Sequence, residues 1–236
     1  MRRWYLIKTD EKKKACRTIF APLNYFSHFY FDGTDDIDYN FGLLLPDFVR
    51  NFIPKKKYVL NAKKTDAISL GAQQHFKRDH VFHMSHVFEE MQEKTKPHVV
   101  DAFARMKVNR SFFVNHILCE MMIDRVLIKE DSAKIDEMYQ QLDLVTEKNR
   151  GLWVAEHQPN HLIDFLKRLD RFNELKYIKR YLEDEALAYS INRVCMYVNV
   201  GGEWSSEQSQ EFLKIIKPVE SIIFERISDL KTEMCS

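Results

Sequence analysis

The chain of 236 residues is long enough for one large domain or two small ones, and its 45% hydrophobic content excludes a globally disordered protein. With 36 basic against 35 acidic residues the formal net charge is +1, which removes the electrostatic case for a nucleic-acid or anionic-membrane partner. Only 6 Gly and 6 Pro occur, against a loop-rich or all-β fold.

Cys16, Cys119, Cys195 and Cys235 are widely spaced and form no CxxC pair, as expected of reduced thiols rather than a disulfide frame. No run approaches the roughly 18 apolar residues of a membrane span, so no membrane insertion is expected. The opening MRRWYLIK begins like a signal peptide, but Lys8 and then Asp10–Lys14 cut its apolar stretch short. A cytoplasmic location is the resulting expectation.

Residues 1–23 read as a basic, loosely ordered N-terminal arm, and 24–236 as a single all-α domain. Asn24–Asp38 is aromatic and then polar; its first half suits a strand or the start of a buried helix, and Asp32-Gly33 marks a turn. His28 lies among aromatics, so burial and a partner, either a carbonyl or a metal, are expected. Tyr39–Ile53 is apolar apart from a few residues, and Pro46 is expected to end or kink it. Asp47 is costly in such a run unless charge-paired or metal-bound, and Arg50, three residues on, is its ordinary partner. Lys55–Lys57 and Lys63–Lys64 read as a solvated face.

Thr65 and Asp66 cap a central helix over 66–94, Pro97 opens a shorter one to 107, and Asn109 caps another over 110–129. Helical spacing returns over Ser132–Lys148, with Ser132 as its cap, until Gly151 breaks it. Pro159–Leu169 and Glu174–Asn199 are further helices, and Ser205–Lys231 closes the chain with Pro218 as its point of kinking.

Inside the central helix His75, Asp79 and His83 are spaced by four. Each such step turns about 40° past a full circle and climbs about 6 Å, so the groups form a nearly straight row about 12 Å long. His116, Glu120 and Asp124 repeat the device in the helix over 110–129. Imidazole and carboxylate at i and i+4 can reach one ion of zinc, manganese or iron. A row of about 12 Å is too long for one ion with ligand bonds of about 2 Å. Either one end only supports the ligands, or two ions lie side by side with Asp79 shared. Ordinary buried polar pairs are the plain alternative. Cys119, on the same helix, reads as a buried apolar thiol. No GxGxxG, Walker, GxSxG, HExxH or EF-hand pattern occurs.

Asn-Tyr-Phe-Ser-His-Phe-Tyr at 24–30 resembles the Asn-Phe-Leu-Ala-His-Leu opening of the acyl carrier protein phosphodiesterase family. The run Gly42 to Arg50, Gly-Leu-Leu-Leu-Pro-Asp-Phe-Val-Arg, is similar to that family's Gly-Asn-Leu-Leu-Ala-Asp-Phe-Val-Arg. Gly71 with His75 and Asp79 looks like its Gly-x3-His-Arg-x-Ile-Asp, Asn115-His116 falls where it has Asp-His, and Arg193 falls near a late family arginine. The resemblance implies an HD-phosphohydrolase-like helical bundle and a manganese-favouring phosphodiesterase acting on acyl carrier protein. The order His28, Asp47, His75, Asp79, His116, Glu120 is also similar to that of the zinc-dependent phospholipase C family.

The expectation is a metal-dependent phosphodiesterase whose Mn, Zn or Fe is held by His75, Asp79 and His116. His28, Asp47, His83 and Glu120 are further ligands or supports. Asp47 takes the proton of the attacking water, and Arg50, with Arg193, meets the phosphate of acyl carrier protein or of another phosphodiester. The alternative is a helical binding protein that kept the fold without the chemistry.

Overall fold

In the computed structural model, which describes residues 25–61, 64–108 and 111–235, every regular element is helical. The expected N-terminal arm, Cys16, Asn24, Lys63 and the Asn109 cap lie outside the described residues. The α-helices are α1 (Tyr25–Asp32), α2 (Ile37–Val49), α3 (Lys55–Asn61), α4 (Ala67–His83), α5 (His86–Met106), α6 (Ser111–Glu130), α7 (Ser132–Leu144), α8 (Glu147–His157), α9 (Leu162–Glu174), α10 (Asp184–Tyr197) and α11 (Ser206–Cys235). Two 3₁₀ turns, Pro159–His161 and Tyr177–Leu182, lie before and after α9. No described helix is long and apolar enough to cross a membrane.

The hub is α6, in which every residue from Ile117 to Ile128 is buried. A helix buried around its whole circumference is enclosed by its neighbours, and α1, α5, α7, α10 and α11 surround it in one domain. Asp124 sits in this hub and belongs to neither cluster of candidate metal ligands. Its carboxylate accepts from Ser27 N (2.8 Å), Ser27 Oγ (2.6 Å) and Phe26 N (3.2 Å), so it caps α1 from across the core.

Burial pushes the Asp124 carboxyl up from 3.8 to about 7, against the pull of the Ser27 and Phe26 donors. The folded chain then holds a proton that the unfolded chain has released. Stability should therefore fall as pH rises from about 4 to about 7, at about 1.4 kcal/mol per unit from this group. Denaturant titrations of wild type and Asp124→Asn across that range should show the Asn variant with the shallower decline; parallel curves would remove the assignment.

The expected central helix is two helices. α4 ends at His83, and Ser85 begins α5 by accepting from Phe88 N at 3.0 Å. Glu233 of α11 reinforces the break: it accepts from Ser85 Oγ at 2.8 Å, His86 N at 3.0 Å and Val87 N at 3.2 Å. A carboxylate at a helix N-terminus satisfies free N–H groups and the dipole together. Pro97, expected to open a helix, lies inside α5, and Pro46 lies inside α2. The buried Val99, Ala102, Phe103 and Met106 beyond Pro97, and Asp47 to Val49 beyond Pro46, carry each helix on through its proline. Gly151, expected as a breaker, is inside α8, where a Cβ would stand 2.6 Å from Leu162 Cδ1. Asp131, not Ser132, caps α7 through Lys134 N at 3.0 Å. The expected Glu174–Asn199 helix is interrupted at Lys176, whose φ of 45° is left-handed.

α2 and α4 touch without side chains between them. A Cβ on Gly42 would lie 2.1 Å from the Ile68 carbonyl oxygen, and one on Gly71 would lie 2.0 Å from the Tyr39 carbonyl oxygen. This contact fixes the distance between the two helices that carry Asp47 and His75.

Candidate metal centre

The row on α4 begins one step before the histidine, with Gly71, His75, Asp79 and His83 at four-residue intervals. Gly71 lies against α2, and the other members extend from that anchor. His75 joins His28 of α1 and Asp47 of α2: all three are buried, and one ligand atom from each lies within 4.8 Å of the others. His83 joins His116 and Glu120 of α6 under the same limit. Asp79 is between them in the row, with Oδ1 3.1 Å from His83 Nε2. The expected metal residues are thus divided: His75 belongs to one triad, His116 to the other, and Asp79 to neither. α1 and α2 meet the row at His75, whereas α6 meets it at His83, and a row of about 12 Å spans both.

The triads are adjacent. His28 feels the charge of His83, and Asp47 that of Asp79. The rings stack in pairs, His28 on His75 with centroids 3.9 Å apart and His83 on His116 at 5.1 Å.

Each triad has its tautomer set from outside. His75 Nδ1 donates to the Leu43 carbonyl at 2.7 Å, leaving the Nε2 lone pair for a ligand bond. His116 Nδ1 lies 2.9 Å from Gln92 Oε1, and its Nε2 is 3.1 Å from Glu120 Oε1. Phe76 packs edge-on against His75 at 5.5 Å. Asn115, by contrast, is turned toward α5: it accepts from Thr95 Oγ1 and donates to the Gln92 carbonyl, both at 2.9 Å.

Neither ring nitrogen of His28 has a hydrogen-bond partner among the described residues, whereas Glu120 has His116 Nε2 3.1 Å from its Oε1. Burial, then the neighbouring His75, drives His28 well below the ordinary imidazole value, so it is a neutral lone-pair donor. Burial pushes Glu120 and Asp47 up, with His116 and His75 as their respective leading opponents. Polar atoms without partners in a core cost about 1–3 kcal/mol each. A divalent cation held by the first triad would take one His28 nitrogen as a ligand, and one held by the second would take the Glu120 carboxylate. Two imidazoles and one carboxylate form a donor set suited to Mn, Fe or Zn, so the residues fit the expected metal.

Access is one-sided. The His28 triad is closed, while Asp79, His83 and His116 keep 42%, 35% and 30% of their side chains exposed. At that rim the hydrogen bond from His83 holds Asp79 low despite its burial, and the same bond raises His83.

Arg50 stands beside Asp47, with Nη1 3.6 Å from Oδ1. Against the cost of its burial, Asp47, Tyr25, Tyr197 and Glu120 hold its guanidinium above the ordinary value. Asp47 is therefore shared between a buried triad and Arg50, rather than spent on a surface ion pair. Arg193 is half-buried on α10, where its charge acts on the Tyr177 phenol.

Several residues escaped the sequence reading. Gln92 orients His116 from α5 and carries no local signal. Arg168 does carry one: it is buried on the face of α9 formed by Phe165, Leu169 and Phe172, a charge on an apolar stripe. No family model matches the chain, nor does any curated protein or solved structure.

Proposed function

We propose that the chain is a metal-dependent phosphoester hydrolase of HD-phosphohydrolase-like type, acting on a phosphodiester. What carries the reading is the pair of His₂-carboxylate triads in one row, with partnerless ligand atoms and an arginine at their edge.

Bound divalent metal would supply Lewis acidity and a water ionised near about pH 7. His28, Asp47 and His75 would hold one ion, and His83, His116 and Glu120 the other. Asp47, buried as a ligand, is poorly placed to exchange protons with solvent. Asp79, exposed and in neither triad, takes that role in the proposal: it accepts the proton of the attacking water and returns it to the leaving oxygen, while His83 Nε2, 3.1 Å from its Oδ1, orients it. Arg50 meets the phosphoryl oxygens with a planar fork. Acyl carrier protein is a weaker substrate in this reading. Phe76 stands where the resembled family has an arginine, and Asn115 is committed to α5.

Protein purified without chelator should carry about one or two equivalents of Mn, Fe or Zn. It should hydrolyse bis-p-nitrophenyl phosphate with stimulation by Mn²⁺, and release little or no phosphopantetheine from acyl carrier protein. A metal-free chain that cannot be reloaded would leave the helical binding protein as the better account.

A further inference from the structure

The two triads fix their histidines by different means. His75 Nδ1 faces the Leu43 backbone carbonyl at 2.7 Å, and a carbonyl oxygen can only accept, so the ring proton stays on Nδ1 and the lone pair on Nε2. His116 Nδ1 faces a side-chain amide instead, with Gln92 Oε1 at 2.9 Å. An amide carries an acceptor oxygen on one side and a donor NH₂ on the other, and a half-turn about its last bond exchanges them in nearly the same space. With Oε1 toward the ring, the imidazole proton sits on Nδ1 and the Nε2 lone pair faces Glu120 Oε1 at 3.1 Å. Two acceptors at that distance repel unless a positive charge lies between them. With the NH₂ toward the ring, Nδ1 accepts, the proton sits on Nε2, and Nε2 donates to Glu120 over the same 3.1 Å. The ring carries one proton in both arrangements. The first calls for a cation, and the second completes its hydrogen bonds without one. Only the amide has to turn, because Asn115 Nδ2 holds the Gln92 backbone carbonyl at 2.9 Å. Exposure runs the same way: His83 and His116 are partly exposed, whereas the His28 triad is buried.

We propose that Gln92 is a positioning residue that makes the second ion exchangeable. By turning its amide it moves His116 between an ion-holding and an ion-free tautomer, while Leu43 keeps His75 in the ion-holding one. One ion is then resident at His28, Asp47 and His75, and the other enters and leaves at His83, His116 and Glu120. The assignment rests on the hydrolase reading for its two metal sites, but not for turnover. It also fixes what a carboxylate at position 92 would do. A carboxylate only accepts, so it would lock the tautomer that the amide leaves open, and behind a ligating histidine it raises the ligand's basicity.

The test is calorimetric titration of the metal-free full chain with Zn²⁺, in wild type, Gln92→Glu and Gln92→Leu, with nitrogen NMR spectra of His116 before and after loading. Wild type should bind one tight and one weaker equivalent. Gln92→Glu should tighten the weaker one by about tenfold or more, and Gln92→Leu should weaken it by about 10–100-fold. Neither should move the tight one. In wild type the His116 proton should sit on Nε2 without zinc and on Nδ1 with it, a change that a merely structural glutamine would not produce. If Gln92→Leu does not fold, Gln92→Glu and the spectra carry the test. A weaker site unchanged in the folded variants, or a His116 proton on Nδ1 in both states of wild type, would overturn the role of Gln92, even if turnover of bis-p-nitrophenyl phosphate persists. Gln92-dependent zinc binding in a chain without turnover would instead overturn the hydrolase and leave the exchangeable site standing. A chain that binds no zinc would overturn both.

Discussion

Gly71→Ala should be among the most damaging single methyl groups that can be added to this chain. The new Cβ would meet the Tyr39 carbonyl oxygen at 2.0 Å and the Leu43 nitrogen at 2.9 Å, both backbone atoms. No rotamer relieves a clash with backbone, so α2 and α4 must separate. Overpacking costs about 1–3 kcal/mol where side chains can yield, and more here. Alanine returns up to about 1 kcal/mol of helix propensity over glycine. A net loss of at least about 3 kcal/mol is expected, a fall in Tm of about 6–12 °C for a chain of this size. Damage to the site should be larger still. Leu43 supplies the carbonyl that orients His75 at 2.7 Å, and α2 carries Asp47. The folded fraction should lose metal from the His28 triad. Gly202→Ala is the control: a Cβ there meets nothing within 4 Å, so it should fall within about 0.5 kcal/mol of wild type. Equal melting temperatures for the Gly71 and Gly202 variants would show that α2 and α4 do not depend on the contact.

The Gly71 case also shows where the sequence was readable. A four-residue spacing in a helix is local information, and it placed His75, Asp79 and His83 on one line and His116 with Glu120 on another. The row's length alone raised two ions with Asp79 shared between them; the structure has two groups of candidate ligands, with Asp79 in neither. His28 and Asp47 came from chemical implausibility, an imidazole among aromatics and a carboxylate in an apolar run. What stayed hidden depends on partners remote in sequence. The break at Ser85 is reinforced by Glu233, which lies 148 residues further on. The cap that Asp124 places on α1 depends on a residue 97 positions from Ser27, which no window contains. Pro97 was misread as a helix start, and Pro46 does not end α2, because the penalty of a proline is local while the burial that offsets it is tertiary. Asp124 keeps the spacing of the second row, but that member caps α1 instead.

The sharpest expected result comes from His28, because here stability and function should move in opposite directions. A buried imidazole with both nitrogens unpartnered costs the apo fold the desolvation of two polar atoms. Replacing it by an apolar group of similar volume removes that cost, and such replacements of buried polar groups are often neutral or stabilising. His28→Leu should therefore leave the chelated, metal-free protein with an unchanged or higher Tm. The same change removes a candidate ligand from the first triad and leaves His83, His116 and Glu120 untouched. Elemental analysis should find about one metal equivalent fewer than in wild type, since a site that loses a protein ligand is weakened more than the 10–100-fold that supporting partners command. His116→Leu should remove the other equivalent and spare the first. Turnover should fall at least a thousandfold in either variant, because losing one side of a two-ion clamp forfeits several kcal/mol of transition-state stabilisation at about 1.4 kcal/mol per decade. If His28→Leu lowers the metal-free Tm by many degrees while metal content holds, the histidine belongs to the core and the first triad is not a metal site. If both variants lose both equivalents together, the triads form one cooperative centre, with Asp79 binding the two ions into a single unit.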